Sequence, residues 1–366
     1  MEKKQKKEYA KVIILSVLTI LMALSMLFNS QISLGIKTIL YKANIKVSAD
    51  DLVVHFIDVG QGDAIALRFP NEKVMLIDSG PKASQNALVE YIKNDVLSSN
   101  NTLTIDYMIL THPDADHSGG MSAVFSNFEV KCFFRPNIAS ASENLDYPME
   151  SSTEEYDEVI KLANQENGLD INVLDNEFEF CEGEVLVQIF SPLKTYSTTN
   201  SMSPIIKVSY LGKSFLFVGD IQADAEKDML DQYGEMLDAD VLKVAHHGSD
   251  TSTSAEFLDI VSPQYAVICV GQNNYGHPNM STIERLNDCG AKIFKTDNNK
   301  VRMVCGNEMF GLLDVNTHHS FEFLQWWTIA LIIIVIFAIL IVKSVIIIIK
   351  YKSNKEIIVK KIGHIN

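Results

Sequence analysis

Basic residues are scarce in the middle of this 366-residue chain. Residues 49–325 hold 17 lysines and arginines against 43 aspartates and glutamates, a formal charge near −26. Such a field repels nucleic acid and offers few counter-charges to a phosphate backbone. A generally acidic proteome is the competing cause of the imbalance. Cysteine is also sparse. The five present (Cys132, Cys181, Cys269, Cys289, Cys305) have no Cys-x-x-Cys spacing, and an odd number cannot all pair. Cys269 lies in an apolar run and reads as a buried thiol. There is no Gly-x-Ser-x-Gly elbow and no Gly-rich loop ending in Gly-Lys-Ser/Thr, so serine-nucleophile and P-loop chemistry are not expected. Internal repeats and low-complexity tracts are missing too.

What is present is concentrated. Residues 111–120 read THPDADHSGG, placing His112, Asp114, Asp116 and His117 directly after the mostly apolar run 105–110. A strand that ends in alternating imidazoles and carboxylates can aim several donors at one point. Imidazole suits zinc, manganese and iron, and carboxylate oxygen suits harder divalent ions. Taken alone, the same stretch also fits a polar turn with Asp114 or Asp116 capping the next helix.

The pattern recurs. Residues 211–220 (LGKSFLFVGD), 240–249 (DVLKVAHHGS) and 265–271 (YAVICVG, followed by NNYGHPN) are apolar, β-rich runs that finish in Asp220, in His246 and His247, and ahead of His277. Upstream, 53–63 (VVHFIDVGQGD) and 74–80 (VMLIDSG) do the same with Asp58, Asp63 and Asp78. A buried sheet would deliver all of these to one edge. Five of the nine histidines lie at such strand ends. Gly60 and Gly62 are expected to allow a tight turn beneath the site.

The ordered runs DVGQGD, LIDSG, THPDADHSGG, FLFVGD, LKVAHHGS and YGHPN resemble the metallo-β-lactamase fold, in particular the hydrolase domain of ComEC-type DNA-uptake proteins. The resemblance covers about residues 52–310. It implies an α/β fold, a four-layer αββα sandwich with two divalent metal ions (zinc or manganese, magnesium also fitting) at one edge of the sheets. Position by position, His112, Asp114, Asp116 and His117 match the His-x-His-x-Asp-His metal motif, Asp220 the bridging carboxylate and His277 the last histidine ligand. Asp78 matches an aspartate that supports the ligands through hydrogen bonds; Asp58, Asp63 and His247 are expected in similar supporting places. Two departures stand out. Asp114 replaces a histidine, and no histidine lies between His117 and His246, where Asn200 and Ser203 stand instead. The implied chemistry is hydrolysis by a water made nucleophilic between the ions and oriented by Asp116 and Asp220. His246 is left as a substitute ligand, a proton donor to the leaving oxygen, or a phosphate binder. Substrates in view are DNA or another phosphodiester; an ester, lactone or β-lactam, or a binding module without turnover, are the alternatives.

The ends speak of a membrane. Residues 12–28 are uncharged and apolar, preceded by a lysine-rich tail at 1–11. Residues 326–349 form a second apolar stretch, with a basic tail at 350–366. Two spans, linkers at 29–50 and 313–325, and a hydrolase domain at 51–312 are the organisation expected. The basic flanks place both termini in the cytoplasm and the domain outside. A cleaved signal segment is the rival for the first span. The chain is expected to be a stand-alone relative of the uptake channel. Residues 140–176, with Glu154, Glu155, Asp157 and Glu158, form either a flap over the site or a solvated surface helix.

Overall fold

The computed structural model describes residues 47–97, 103–141, 143, 147–150, 153–297, 299–307 and 309–315. Strands β1 (Leu52–Phe56), β2 (Ile65–Arg68), β3 (Val74–Ile77), β4 (Thr104–Ile109), β5 (Glu129–Pro136) and β6 (Asp170–Leu174) share a sheet with β14 (Val301–Cys305) and β15 (Phe310–Val315). Its order is β15-β14-β1-β2-β3-β4-β5-β6. The second sheet takes β7 (Phe178–Glu182), β8 (Val185–Phe190), β9 (Ile205–Tyr210), β10 (Lys213–Phe217), β11 (Val241–Lys243), β12 (Tyr265–Ile268) and β13 (Lys292–Lys295), in the order β13-β12-β11-β10-β9-β8-β7. β15 runs to Val315, past the boundary at 312 read from the sequence.

Side-chain alternation builds the layers. Leu52, Val54 and Phe56 of β1 enter one apolar cluster with Val187, Ile206, Phe215 and Phe217 of the other sheet, and Phe56 meets Phe217 with ring centroids 6.1 Å apart. Successive strand residues point to opposite faces, so the intervening positions must be covered from outside. Helices α1 (Gln85–Tyr91), α3 (Met121–Asn127) and α4 (Glu154–Gln165) cover one sheet through Leu88, Val124 and Val159. Helices α5 (Ala223–Tyr233), α6 (Ala255–Val261) and α7 (Met280–Asp288) cover the other through Met229, Phe257 and Leu286. α2 (Ala115–Ser118) is a single turn after β4. The outcome is the αββα sandwich. α4 is no flap: Tyr156, Val159, Ile160 and Ala163 are buried, while Glu154 and Glu158 face solvent.

The topology also fixes where function can sit. β3, β4, β5 and β6 are parallel, as are β10, β11, β12 and β13. Loops leaving the carboxyl ends of parallel strands emerge at one edge, and these loops carry Asp78, His112, Asp220 and His247. Among the described residues no helix is long and apolar enough to cross a membrane. The expected spans 12–28 and 326–349, their tails 1–11 and 350–366, and most of both linkers lie outside the described residues.

One buried group away from that edge makes the fold acid-sensitive. His55 is 1% exposed, with Nδ1 3.2 Å from the Tyr91 hydroxyl. Burial, and then Arg302, Arg68 and Lys300, push its pKa down to about 3. Above pH 6.5 both the folded and unfolded chains hold this imidazole neutral. Below it only the unfolded chain takes the proton, so folding loses stability as pH falls toward 3. His55→Phe should remove roughly 2 kcal/mol of the stability lost between pH 7 and pH 5. Denaturant midpoints of the full chain in detergent at the two pH values check this; equal acid sensitivity in parent and variant would rule it out.

Candidate metal centre

Buried carboxylates need partners, and those partners set every ring orientation at the sheet edge. Asp78 follows β3 in the left-handed region, φ 56°. Its Oδ1 accepts from the Thr111 backbone N–H at 2.8 Å, and its Oδ2 accepts from the Thr111 hydroxyl at 2.7 Å and His117 Nδ1 at 2.8 Å. His117 therefore donates through Nδ1 and turns Nε2 inward. His247 donates Nδ1 to the Cys269 carbonyl at 2.8 Å, with the same result. His112 Nδ1 lies 3.1 Å from the Thr111 hydroxyl and 3.3 Å from that of Ser203. Since the Thr111 hydrogen goes to Asp78, its oxygen is free to accept from His112. Among the described residues His112 Nε2 is buried with no hydrogen-bond partner.

Three Nε2 atoms thus face the same region as two carboxylates. His117 Nε2 is 3.3 Å from His247 Nε2 and 3.3 Å from Asp220 Oδ2. His247 Nε2 is 3.3 Å from both Asp220 Oδ2 and Asp116 Oδ2. With the Nδ1 protons committed, the Nε2 lone pairs and anionic oxygens would repel one another unless a proton or a metal cation lay among them. The protonation tendencies agree. Against burial, Asp220 and Asp78 hold His117 well above the usual imidazole range, and Asp220 and Asp116 do the same for His247. Against burial again, His247 and His117 hold the Asp116 and Asp220 carboxyls below theirs. Burial and His117 push His112 down. The donor sets His112–His117–Asp220 and Asp116–His117–His247, each within 4.8 Å, fit a divalent ion of the imidazole- and carboxylate-binding kind. A third grouping, Asp63–Asp78–His117, spends its Asp78 oxygens and His117 Nδ1 on hydrogen bonds.

The other residues singled out from the sequence are placed as follows. Asp114 is at the rim, its Oδ1 accepting from Thr199 Oγ1 at 2.9 Å and its Oδ2 3.8 Å from His112 Nε2. It stands at the N-cap of α2, yet its side chain makes no capping bond. His246 Nε2 is 3.9 Å from Asp220 Oδ2 and 3.2 Å from the Asn200 amide nitrogen. His277 contributes to none of these donor sets; its ring lies 5.3 Å from that of His246. His247, read as a supporting residue, stands in one of these donor sets. It comes from the tight turn after β11, where His246 and His247 both have positive φ (49° and 53°). Asp58 accepts from the Gly60 backbone N–H at 3.1 Å and stays exposed. Asp63 is buried against Lys243, with Oδ1 3.3 Å from His247 Nδ1. Lys243 and Thr111 escaped sequence reasoning. A lone lysine inside the apolar run DVLKVA was the available signal for the first.

The family model described as the metallo-beta-lactamase superfamily matches residues 57–272. The chain belongs to this superfamily. It is similar to ComE operon protein 3 of Bacillus subtilis, 28% identical over 260 residues, covering 67% of this chain and 32% of that protein. It is also similar to competence protein ComA of Neisseria gonorrhoeae, 28% identical over 255 residues, covering 69% and 32%. The chain thus spans about a third of the length of these ComEC-type relatives. Among solved structures it is similar to the metallo-beta-lactamase fold protein YhfI from Bacillus subtilis, at TM-score 0.47 and 10% identity, covering 70% of this chain and 100% of that one.

In this metallo-beta-lactamase frame, no histidine stands between His117 and His246, and hydroxyl and amide groups of that stretch brace the neighbouring rings. Ser203 Oγ accepts from the Asp220 backbone N–H at 3.2 Å and touches His112, while Asn200 bonds His246. Asp78 is the brace with most to lose. Asp78→Asn should weaken divalent-ion binding roughly 10- to 100-fold while the fold is retained. Calorimetric titration of the metal-stripped full chain with Zn(II), beside circular dichroism, measures both. Unchanged affinity would mean that His117 does not bind through Nε2.

Proposed function

We propose that this chain is a membrane-anchored, metal-dependent hydrolase that cleaves phosphodiester bonds on the outer side of the membrane. The observation that carries the reading is the convergence of His112, His117 and His247 Nε2 with Asp116 and Asp220 Oδ2 on one buried edge. Zinc or manganese, with magnesium also fitting, would be held there by those atoms, with Asp114 at the rim for a second ion. A divalent ion in such a set supplies Lewis acidity and a nucleophile at neutral pH.

The chain's own groups would do the rest. Asp116, with its side chain 34% exposed, can accept a hydrogen bond from an attacking water and orient it. Burial pushes the His246 pKa below the ordinary imidazole range against the pull of Asp220, with His247 and Lys243 adding to the lowering. His246 Nε2 faces the Asn200 amide donor, and its Nδ1 is 3.3 Å from Thr251 Oγ1. As bonded here, His246 accepts at Nε2, so it would take a proton or a substrate hydrogen bond rather than donate one. A cleft lined by Asn137, Tyr147, Pro148, Asp175, Lys194 and Met202 offers room for the rest of a substrate; its one cation, Lys194, is paired with Asp228 at 2.6 Å. The cleft adjoins the centre through Met202, whose neighbour Ser203 touches His112. The apolar stretches at 12–28 and 326–349 and their basic flanks support the anchoring and the outward orientation.

The acidity of the domain favours a second reading, hydrolysis of an ester, lactone or β-lactam, because a polyanionic backbone is repelled by it. The full chain in detergent, stripped of metal, would be assayed on bis(p-nitrophenyl) phosphate, DNA and nitrocefin with Zn(II), Mn(II) or Mg(II) restored. Asp116→Ala and His247→Ala should each lower metal-dependent phosphodiester cleavage on the order of 100-fold or more. His277→Ala should cost clearly less. Turnover of nitrocefin without phosphodiester cleavage would transfer the assignment to the second reading, and no turnover in a metal-loaded chain would leave a binding module.

A further inference from the structure

Lys243 ends β11 with its side chain fully buried, directly behind the centre. Its ammonium pairs with Asp63 Oδ2, and reaches the Gly219 carbonyl at 3.0 Å and Asp220 Oδ1 at 3.4 Å. An ammonium has three hydrogens, and here it meets three acceptors. A buried ion pair is a weak source of stability, because desolvation offsets most of the attraction. Apolar neighbours of similar size would fill this space at less cost. What the lysine changes is Asp220, whose Oδ1 is tied backward while Oδ2 alone lies 3.3 Å from His117 Nε2 and His247 Nε2. It also neutralises Asp63, which would otherwise be a bare carboxylate beside His247.

We propose that Lys243 is a positioning residue of the metal centre: it fixes Asp220 so that this carboxylate offers a divalent ion one oxygen, Oδ2. It also occupies, as a fixed cation, the space between Asp63 and Asp220. This rests on the reading of the edge cluster as a metal centre. Without the ammonium, Asp220 can rotate or bind through both oxygens, and Asp63 competes for the ion from behind.

The test is Co(II) binding to the full chain in detergent, followed by calorimetry and by the visible d–d spectrum, which reports coordination number and geometry independently of turnover. Lys243→Met leaves Asp63 buried and unpaired, which threatens the fold. The double variant Asp63→Asn/Lys243→Met removes both charges of the pair and is the decisive protein. Expected is a folded double variant that binds Co(II) roughly 10- to 100-fold more weakly than the parent, with its d–d bands shifted. A folded double variant with parental affinity and spectrum overturns the proposal. So does a double variant that cannot fold, since the pair is then an interior brace. A parent chain that takes up no Co(II) removes the metal centre itself, a failure distinct from both.

Discussion

Four carboxylates, those of Asp63, Asp78, Asp116 and Asp220, are gathered at one edge of the sandwich, and the rest of the site follows from balancing them. Asp63, Asp78 and Asp220 are nearly inaccessible to solvent, so water cannot screen them and the protein must supply the opposite charge or the hydrogen bonds. Lys243 answers Asp63 and one oxygen of Asp220. Thr111 and His117 answer Asp78. Asp116 Oδ2 and Asp220 Oδ2 face imidazole Nε2 atoms, which can meet them with a proton or share an ion with them. The imbalance left there is a site for a cation, and it is a consequence of which hydrogen bonds the second layer has already taken.

Holding so many groups together demands unusual backbone. His246 and His247 occupy the left-handed region in succession, which costs non-glycine residues about 1–2 kcal/mol each. The turn is held by His246 N–H to the Gly219 carbonyl at 3.2 Å and Ser249 N–H to the His246 carbonyl at 2.8 Å. Gly62, at φ 135°, allows the DVGQGD loop to lie against the Asp116 backbone, where a Cβ would overlap the carbonyl oxygen. That same carbonyl accepts the Asp63 N–H at 3.2 Å, and the His117 carbonyl accepts the Ser79 N–H at 2.8 Å. The sequence runs that look separate along the chain are therefore one hydrogen-bonded unit. Within it His117 Nε2 and His247 Nε2 stay 3.3 Å apart, and His117 is shared between the two donor sets.

Legibility in the sequence divided along physical lines. The strand-end rule worked because a buried parallel strand has a strong apolar signature and its exit a polar one: β3, β4, β10 and β11 all lead to residues that were singled out. The αββα sandwich was implied by resemblance, and alternation within β1 now accounts for its inner layer. His247 and His277 were harder. Both follow apolar strands; the left-handed dihedral angles after β11, with the Nδ1 bond to the Cys269 carbonyl, turn His247 inward, while His277 stays beside His246. Such angles are set by contacts with Gly219, distant in the chain, and leave no local mark. Lys243 was hidden because a buried cation looks like an exception inside an apolar run until its two carboxylate partners are known. Asp114 stands where the capping alternative put it, at the start of a helical turn, yet its side chain turns to Thr199 rather than to the helix.

The balance also links the centre to protons. His117 and His247 are held above the ordinary imidazole range by the same carboxylates that would bind an ion. In the absence of metal those rings take protons to satisfy Asp220 and Asp116, so an entering ion must displace them. Metal uptake is then opposed at low pH by the stability of the protonated cluster and favoured as pH rises. The domain around the centre carries a formal charge near −26, which concentrates cations at its surface and disperses anions. Ion capture is thereby helped by the whole surface, whereas an anionic substrate must be drawn by short-range contacts alone. In the adjoining cleft the one cation, Lys194, is already paired with Asp228, so a field that would favour a metal ion at the centre would also disfavour highly charged anions there.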